Sequence, residues 1–198
     1  MEETNKIDLR ALNEAPDLSD EKSRKNDGFI KEILSVYRYN TKIEEITAKI
    51  LLLDMTYSTG LRFHFSAEFT IEDLARGIQA IPELDKMIEN GSTEAVDRIL
   101  AINDNVNLFS FASKYCFIHN VYCYGEDDYS IYDSAVAEYL PEYTDCIRAQ
   151  LEKWRKERNY SAFNSYVGNY LNENAKGIKN PRYKLDRFLW NRKKASEK

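Results

Sequence analysis

Thr41-Lys42-Ile43-Glu44-Glu45-Ile46-Thr47-Ala48-Lys49-Ile50-Leu51-Leu52-Leu53-Asp54-Met55-Thr56-Tyr57 is the stretch whose pattern settles the class of fold. Ile43, Ile46, Ile50 and Leu53 recur at steps of three and four, and Leu51 and Leu52 widen the stripe. Such spacing gathers apolar side chains on one side of a helix broad enough to be buried, so this is the expected central helix. Tyr57-Ser58-Thr59-Gly60 closes it as a loop, Gly60 supplying the left-handed conformation that a side chain resists.

The same period governs the segments downstream. Thr70-Ile71-Glu72-Asp73 reads as a helix start with a capping oxygen and early acidic residues, with Ile71, Leu74 and Ile78 on the inner face. Pro82 suits the first turn of another short helix, stopped by Asn90-Gly91; Ser92 or Thr93 then caps a third carrying Val96, Ile99 and Leu100. Further helices are expected over 107–120, 134–140, 141–158, 161–174 and 181–194, with 122–130 as an irregular acidic and aromatic loop. No alternating strand pattern and no internal repeat interrupts them, so the fold class is all-α. Residues 1–28 are polar, with Pro16, Gly28 and few large apolar side chains, and read as an arm; order is expected from Phe29, with 29–198 as a single all-helical domain.

At 198 residues the chain suits one domain with a real core. Its longest apolar run, 50–53, is far too short for a membrane span, and the polar start lacks the features of a signal peptide, so a soluble, cytoplasmic protein is expected. Cys116, Cys123 and Cys146 are too few for a disulfide framework and read as reduced thiols. The net charge of −5 hides an asymmetry. Residues 1–145 hold 14 basic and 28 acidic side chains, whereas 146–198 hold 14 basic and 5 acidic ones. A cationic C-terminal quarter is either a footprint for an anionic polymer or a set of solvated helix faces. Fourteen Tyr, nine Phe and two Trp supply rigid rings for packing or for stacking on bases.

Two segments carry candidate chemistry. In Leu108-Phe109-Ser110-Phe111-Ala112-Ser113-Lys114-Tyr115-Cys116-Phe117-Ile118-His119 one lysine is embedded in an apolar, aromatic helix. Desolvation there disfavours the ammonium and favours a nucleophilic amine, unless the stem merely runs along apolar surface and delivers the charge to water. Nineteen residues on, Tyr129-Ser130-Ile131-Tyr132-Asp133-Ser134-Ala135-Val136 sets Asp133 at the start of a helix, where it is either a cap, a reactive carboxylate, or both.

Lys114 on its helix, the loop, and then Ile131-Tyr132-Asp133-Ser134-Ala135-Val136 together resemble the helix-hairpin-helix DNA glycosylases. The likeness is closest to the bacterial branch described as having an 8-oxoguanine DNA glycosylase fold. Tyr57-Ser58-Thr59 and Leu185-Asp186-Arg187-Phe188-Leu189-Trp190 are similar to further elements of that branch, and the likeness extends over roughly residues 45–192. The resemblance implies base excision from DNA, with or without abasic-site lyase activity. Lys114 would be the amine nucleophile and Asp133 the carboxylate that stabilises positive charge on the sugar. It implies double-stranded DNA with a base flipped from the stack as partner, with Phe111, Tyr115, Tyr129 and Tyr132 as candidate stacking residues.

Phosphate contacts would fall to Lys153, Arg155, Lys156, Arg158, Lys179, Arg182, Lys184, Arg187 and Arg192 to Lys194, and binding should weaken steeply with salt. The chain departs from the family in having no Gly in 108–113 and in carrying an acidic run, Glu126-Asp127-Asp128, near the expected site. No cofactor is implied. Cys116, His119 and Cys123 lack an evident fourth ligand, so no metal is expected; His64 reads as a turn or packing residue. There is no Gly-rich phosphate loop and no Ser nucleophile elbow. The competing readings are a catalytically inactive glycosylase-like module that binds nucleic acid or an acidic protein through its basic C-terminal helices, and a plain helical interaction domain.

Overall fold

The computed structural model describes residues 7–197. The described residues form eleven α-helices and no strand: α1 (Leu9–Glu14), α2 (Glu21–Val36), α3 (Ile43–Tyr57), α4 (Ile71–Gln79), α5 (Leu84–Glu89), α6 (Glu94–Leu100), α7 (Phe109–His119), α8 (Ser134–Tyr143), α9 (Arg148–Lys156), α10 (Tyr160–Asn174) and α11 (Pro181–Ser196). The fold is all-α. One continuous cluster of buried apolar side chains runs through it from Ile7 to Leu189.

Local chemistry sets the element ends. Thr70 and Asp73 form a reciprocal cap on α4, the Thr70 hydroxyl accepting from the Asp73 amide at 3.2 Å and the Asp73 carboxylate accepting from the Thr70 amide at 2.8 Å. Helix α3 ends on Ser58 at φ 48°, and Gly60 comes next at φ 74° before a 3₁₀ turn (Leu61–Phe63). The Asp54 carboxylate gathers that loop, accepting from the Thr59 hydroxyl and from the Leu61 amide. The buried face of α3 is Ile46, Lys49, Ile50 and Leu53, a lysine included.

Helix α7 is enclosed on all sides; of Phe109–His119 only Ser110 is not fully buried. It packs against α6, α3 and α5 and widens at its end into a π-helical turn (Asn120–Tyr124), where 122–124 was expected to be loop. The Asn120 amide holds that turn by donating to the Ile88 carbonyl at 2.8 Å, and Gly125 ends it at φ 79°. Pro141 lies in the last turn of α8 instead of opening a new helix, and α9 starts only at Arg148.

The N-terminal segment corrects the expected arm. Residues 1–6 lie outside the described residues, but from Ile7 onward the segment is built into the fold as α1 and the first half of α2. Asp8 caps α1 and Asp20 caps α2 by accepting backbone amides, and Leu12 and Ala15 are buried where α1 meets α11. Few apolar side chains suffice here because each packs against the neighbouring C-terminal helix and not against its own segment.

Candidate functional site

Two neighbouring contacts bring Lys114 and Asp133 together. Ser113 turns its hydroxyl toward the chain entering α8, donating to the Ser110 carbonyl at 3.0 Å and accepting from the Tyr132 amide at 3.1 Å. Upstream, the Ser130 amide is held by the Asn164 side chain at 2.8 Å and by the Tyr160 hydroxyl at 3.0 Å. The extended segment before α8 is thus pinned to α7 and α10, and the next residue along each partner is Lys114 on one and Asp133 on the other.

Asp133 divides its oxygens between two tasks. Oδ1 accepts from the amides of Ala135 at 2.9 Å and Val136 at 3.1 Å and caps α8; Oδ2 stands 3.2 Å from Lys114 Nζ. Burial alone would push the Asp133 carboxyl up, but the Lys114 ammonium and the two amides outweigh it and hold it below the usual range. Lys114 is 2 % exposed and also donates to the Tyr57 carbonyl at 2.9 Å, so its ammonium does not reach solvent along the helix. Neither of the two expected fates of an embedded lysine holds as stated: the charge stays in the core, paired with a carboxylate.

A narrow cleft opens beside this pair, with about 30 Å³ of water-sized room inside a recess that opens to solvent. Ser23, Asn26 and Asp27 of α2, Thr56 and Tyr57 of α3, Asp133, and Asp186, Arg187 and Trp190 of α11 line it. Arg187 is 4 % exposed and spans the floor, donating to Asp27 Oδ1 at 2.8 Å and to the Tyr57 hydroxyl at 2.5 Å, its Nε 3.7 Å from Asp186. Burial raises the Asp27 carboxyl against the pull of Arg187 and the Tyr57 hydroxyl. At the rim Lys193 donates to the Ser134 hydroxyl at 2.6 Å and Lys194 to the Ser23 hydroxyl at 2.8 Å, and both ammonium groups lie within 6 Å of the Trp190 ring centre.

Several expected roles change. Phe111, Tyr115, Tyr129 and Tyr132 are buried in the core and none lines the cleft. Tyr115 donates to Asn40, Tyr129 to the Ser92 and Met87 carbonyls, and Tyr132 packs edge-on against Phe109 and Phe163. The aromatic side chains at the cleft are Tyr57 and Trp190.

Arg187 is a buried ion-pair residue and not a surface cation. Arg182 threads over Gly168, donates to the Ser130 hydroxyl at 3.1 Å and ties the Asp127 loop through its own backbone amide. Arg158 is committed to carbonyls 100, 103, 104 and 106 and to Asp104, Arg155 to Glu152, and Lys184 to Asn13. Lys153, Lys156 and Lys179 remain exposed. Cys116 is sealed in the core, His119 gives its Nδ1 to the Tyr115 carbonyl at 2.7 Å, and no three His, Cys, Asp or Glu side chains among the described residues are placed to share a metal ion.

Ser23, Asn26, Asp27, Thr56, Asp186 and Trp190 line the cleft without having been expected as site residues. Ser23 and Asp27 lie in the segment read as an arm. For Asp186, the available signal was an acid inside an apolar helical run, Leu185-Asp186-Arg187-Phe188-Leu189.

Fold and site together define an all-helical protein with a buried amine–carboxylate pair beside a narrow, acid-lined cleft. The chain belongs to the HI_0787_N family, whose N-terminal domain model matches residues 6–127. No curated protein and no solved structure matches it. The cleft straddles the limit of that match, since Asp27 and Tyr57 fall within it and Asp133, Asp186, Arg187 and Trp190 beyond it. No helix among the described residues is long and apolar enough to cross a membrane.

Proposed function

We propose that this protein is a DNA base-excision glycosylase with lyase capacity, Lys114 serving as nucleophile and Asp133 as the carboxylate that stabilises the sugar cation. The observation that carries this reading is the 3.2 Å contact between Lys114 and an Asp133 whose other oxygen is already fixed by two amides, beside an open cleft. Breaking an N-glycosidic bond builds positive charge at C1′, and a carboxylate held rigid in a dry site stabilises that charge without reorganising. Asp133 meets the requirement because its position is set by the helix it caps. Release of Lys114 from the Tyr57 carbonyl by rotation of its last torsions turns the amine toward C1′, and attack there gives a covalent adduct that opens to a Schiff base.

Tyr57 and Trp190 supply the aromatic walls for a flipped base, and Lys193 at the rim, with exposed Lys153, Lys156 and Lys179 farther out, supplies cations for the phosphate backbone, Lys194 being paired with Asp20. Arg187 does not compete for phosphate, being neutralised by Asp27. The test is borohydride trapping on a duplex with a single abasic site. Wild type should yield a covalent complex that Lys114→Ala abolishes and Asp133→Asn strongly reduces; no complex with wild type, or an undiminished one in Lys114→Ala, contradicts the reading.

A further inference from the structure

Of the three carboxyls that line the cleft, Asp27 is paired with Arg187, and Asp186 has surroundings the reverse of those of Asp133. Asp186 sits on α11, 9 % exposed, with one side toward the cleft and the other toward an apolar crevice formed with Ile131, Val136, Leu140, Phe163 and Leu185. No hydrogen bond reaches its carboxyl among the described residues. Its one ion-pair partner, Arg187 Nε, stands 3.7 Å away, beyond hydrogen-bond distance, and is itself buried without an acceptor. Asp133, by contrast, receives two amides and an ammonium. A pair of carboxyls in one cleft, one satisfied by donors and the other bare against apolar side chains, is the arrangement that separates an ionised stabiliser from a proton donor.

We propose that Asp186 is the general acid that protonates the departing base. The inference rests on the glycosylase reading above. In the step, the C1′–N bond breaks and its electron pair leaves with the base, while the Asp186 O–H bond breaks and its proton passes to that base, which departs neutral. Lys114, an ammonium beside Asp133 at rest, first gives one proton to solvent in the cleft; the lone pair of the resulting amine forms the Nζ–C1′ bond, and the new secondary ammonium sheds its proton to solvent, so that Asp186 serves base departure only.

The groups facing Asp186 fit the role. They are Asp27 from α2, Tyr57 from α3, Lys114 from α7, Asp133 from α8, and Arg187 and Arg182 from its own helix. Burial pushes its carboxyl up to about 7, Asp133 and Asp27 acting in the same direction and Arg187 and Lys114 against it. A carboxyl poised there both holds and gives up its proton near neutral pH.

Two readouts separate this role from a structural one, because an abasic duplex has no base left to protonate. Single-turnover base release is measured on duplexes each carrying one uracil, 8-oxoguanine, hypoxanthine or ethenoadenine, and borohydride trapping on a preformed abasic duplex. Asp186→Asn should slow base release by about 10²-fold or more while trapping stays within about threefold, and Asp186→Glu should recover part of the release.

In wild type, release should fall as pH rises above about 7 while trapping does not; this holds as a test even if the Asn variant fails to fold. Release at the wild-type rate in Asp186→Asn, a parallel loss of both activities in a folded variant, identical pH profiles, or wild type that traps but releases none of the four bases overturns the proposal. Wild type that neither traps nor releases overturns the glycosylase reading itself.

Discussion

Lys49 and Lys114 are stripped of water in one helical core, at 1 % and 2 % exposure, yet their surroundings differ in kind. Lys49, on α3, is satisfied by neutral oxygens, donating to Asn40 Oδ1 at 2.6 Å and the Tyr39 carbonyl at 3.1 Å. The nearest acid acts at one remove, with Asp85 accepting from the Asn40 amide groups at 3.1 Å and 2.7 Å. Burial therefore lowers the Lys49 ammonium to about 8, with Asp85 pulling the other way, and Lys49 does not line the cleft. Lys114 does not line the cleft either, but its carboxylate partner at 3.2 Å, Asp133, does. Desolvation acts on both lysines; a fixed counter-charge that itself reaches the cleft is what sets Lys114 apart.

The comparison breaks first on covalent chemistry. Trapping on abasic DNA should vanish in Lys114→Ala and persist in Lys49→Ala, although burial lowers the Lys49 ammonium; loss in both variants while both remain folded would mean that the two lysines do not differ as described.

Stability gives the next effect. Lys114→Met leaves Asp133 buried without its counter-charge and should cost about 3–5 kcal/mol. Lys49→Met strands only neutral acceptors and should cost about 1–3 kcal/mol. Guanidinium unfolding of the two variants measures the ordering, and equal losses would remove the energetic distinction.

The pH dependence sharpens it. The unfolded chain keeps the Lys49 proton to about pH 10.4, whereas the folded chain releases it near 8. Between those values the unfolded state binds more protons, so wild-type stability should rise with pH relative to Lys49→Met, by up to about 1.4 kcal/mol per pH unit. Below about pH 8 the difference should be flat; flatness throughout contradicts the assigned environment.

The smallest expected effect lies far from both lysines. Lys153→Ala and Lys156→Ala should each weaken DNA binding uniformly across sequences and lower the salt slope by about 1, measured by titration at several salt concentrations.

The helical class was legible because period and caps are local: the α3 stripe, the Thr70–Asp73 cap and the stop near Asn90-Gly91 are all written within a few residues of where they act. The Lys114–Asp133 pairing was implied by the resemblance to the glycosylases; the residues alone left Lys114 between a buried amine and a charge delivered to water, and Asp133 between a cap and a reactive carboxylate. The rest of the cleft depends on long-range packing. Asp27 and Ser23 read as parts of a polar arm because the face they line is completed by α11, some 160 residues later. The four expected stacking aromatics failed for a related reason. Ring content marks burial as readily as stacking, and nothing local told Tyr129, which donates to carbonyls of the α5 end and the turn after it, from Trp190, which faces the cleft.

The central claim is that Lys114, of the two buried lysines, is the amine that meets the sugar. Proteolysis and mass spectrometry of the borohydride-trapped complex test it at the residue. One reduced deoxyribose adduct, carried by Lys114, is the expected result; an adduct on Lys49, on a rim lysine such as Lys193 or Lys194, or spread over several surface lysines would contradict it.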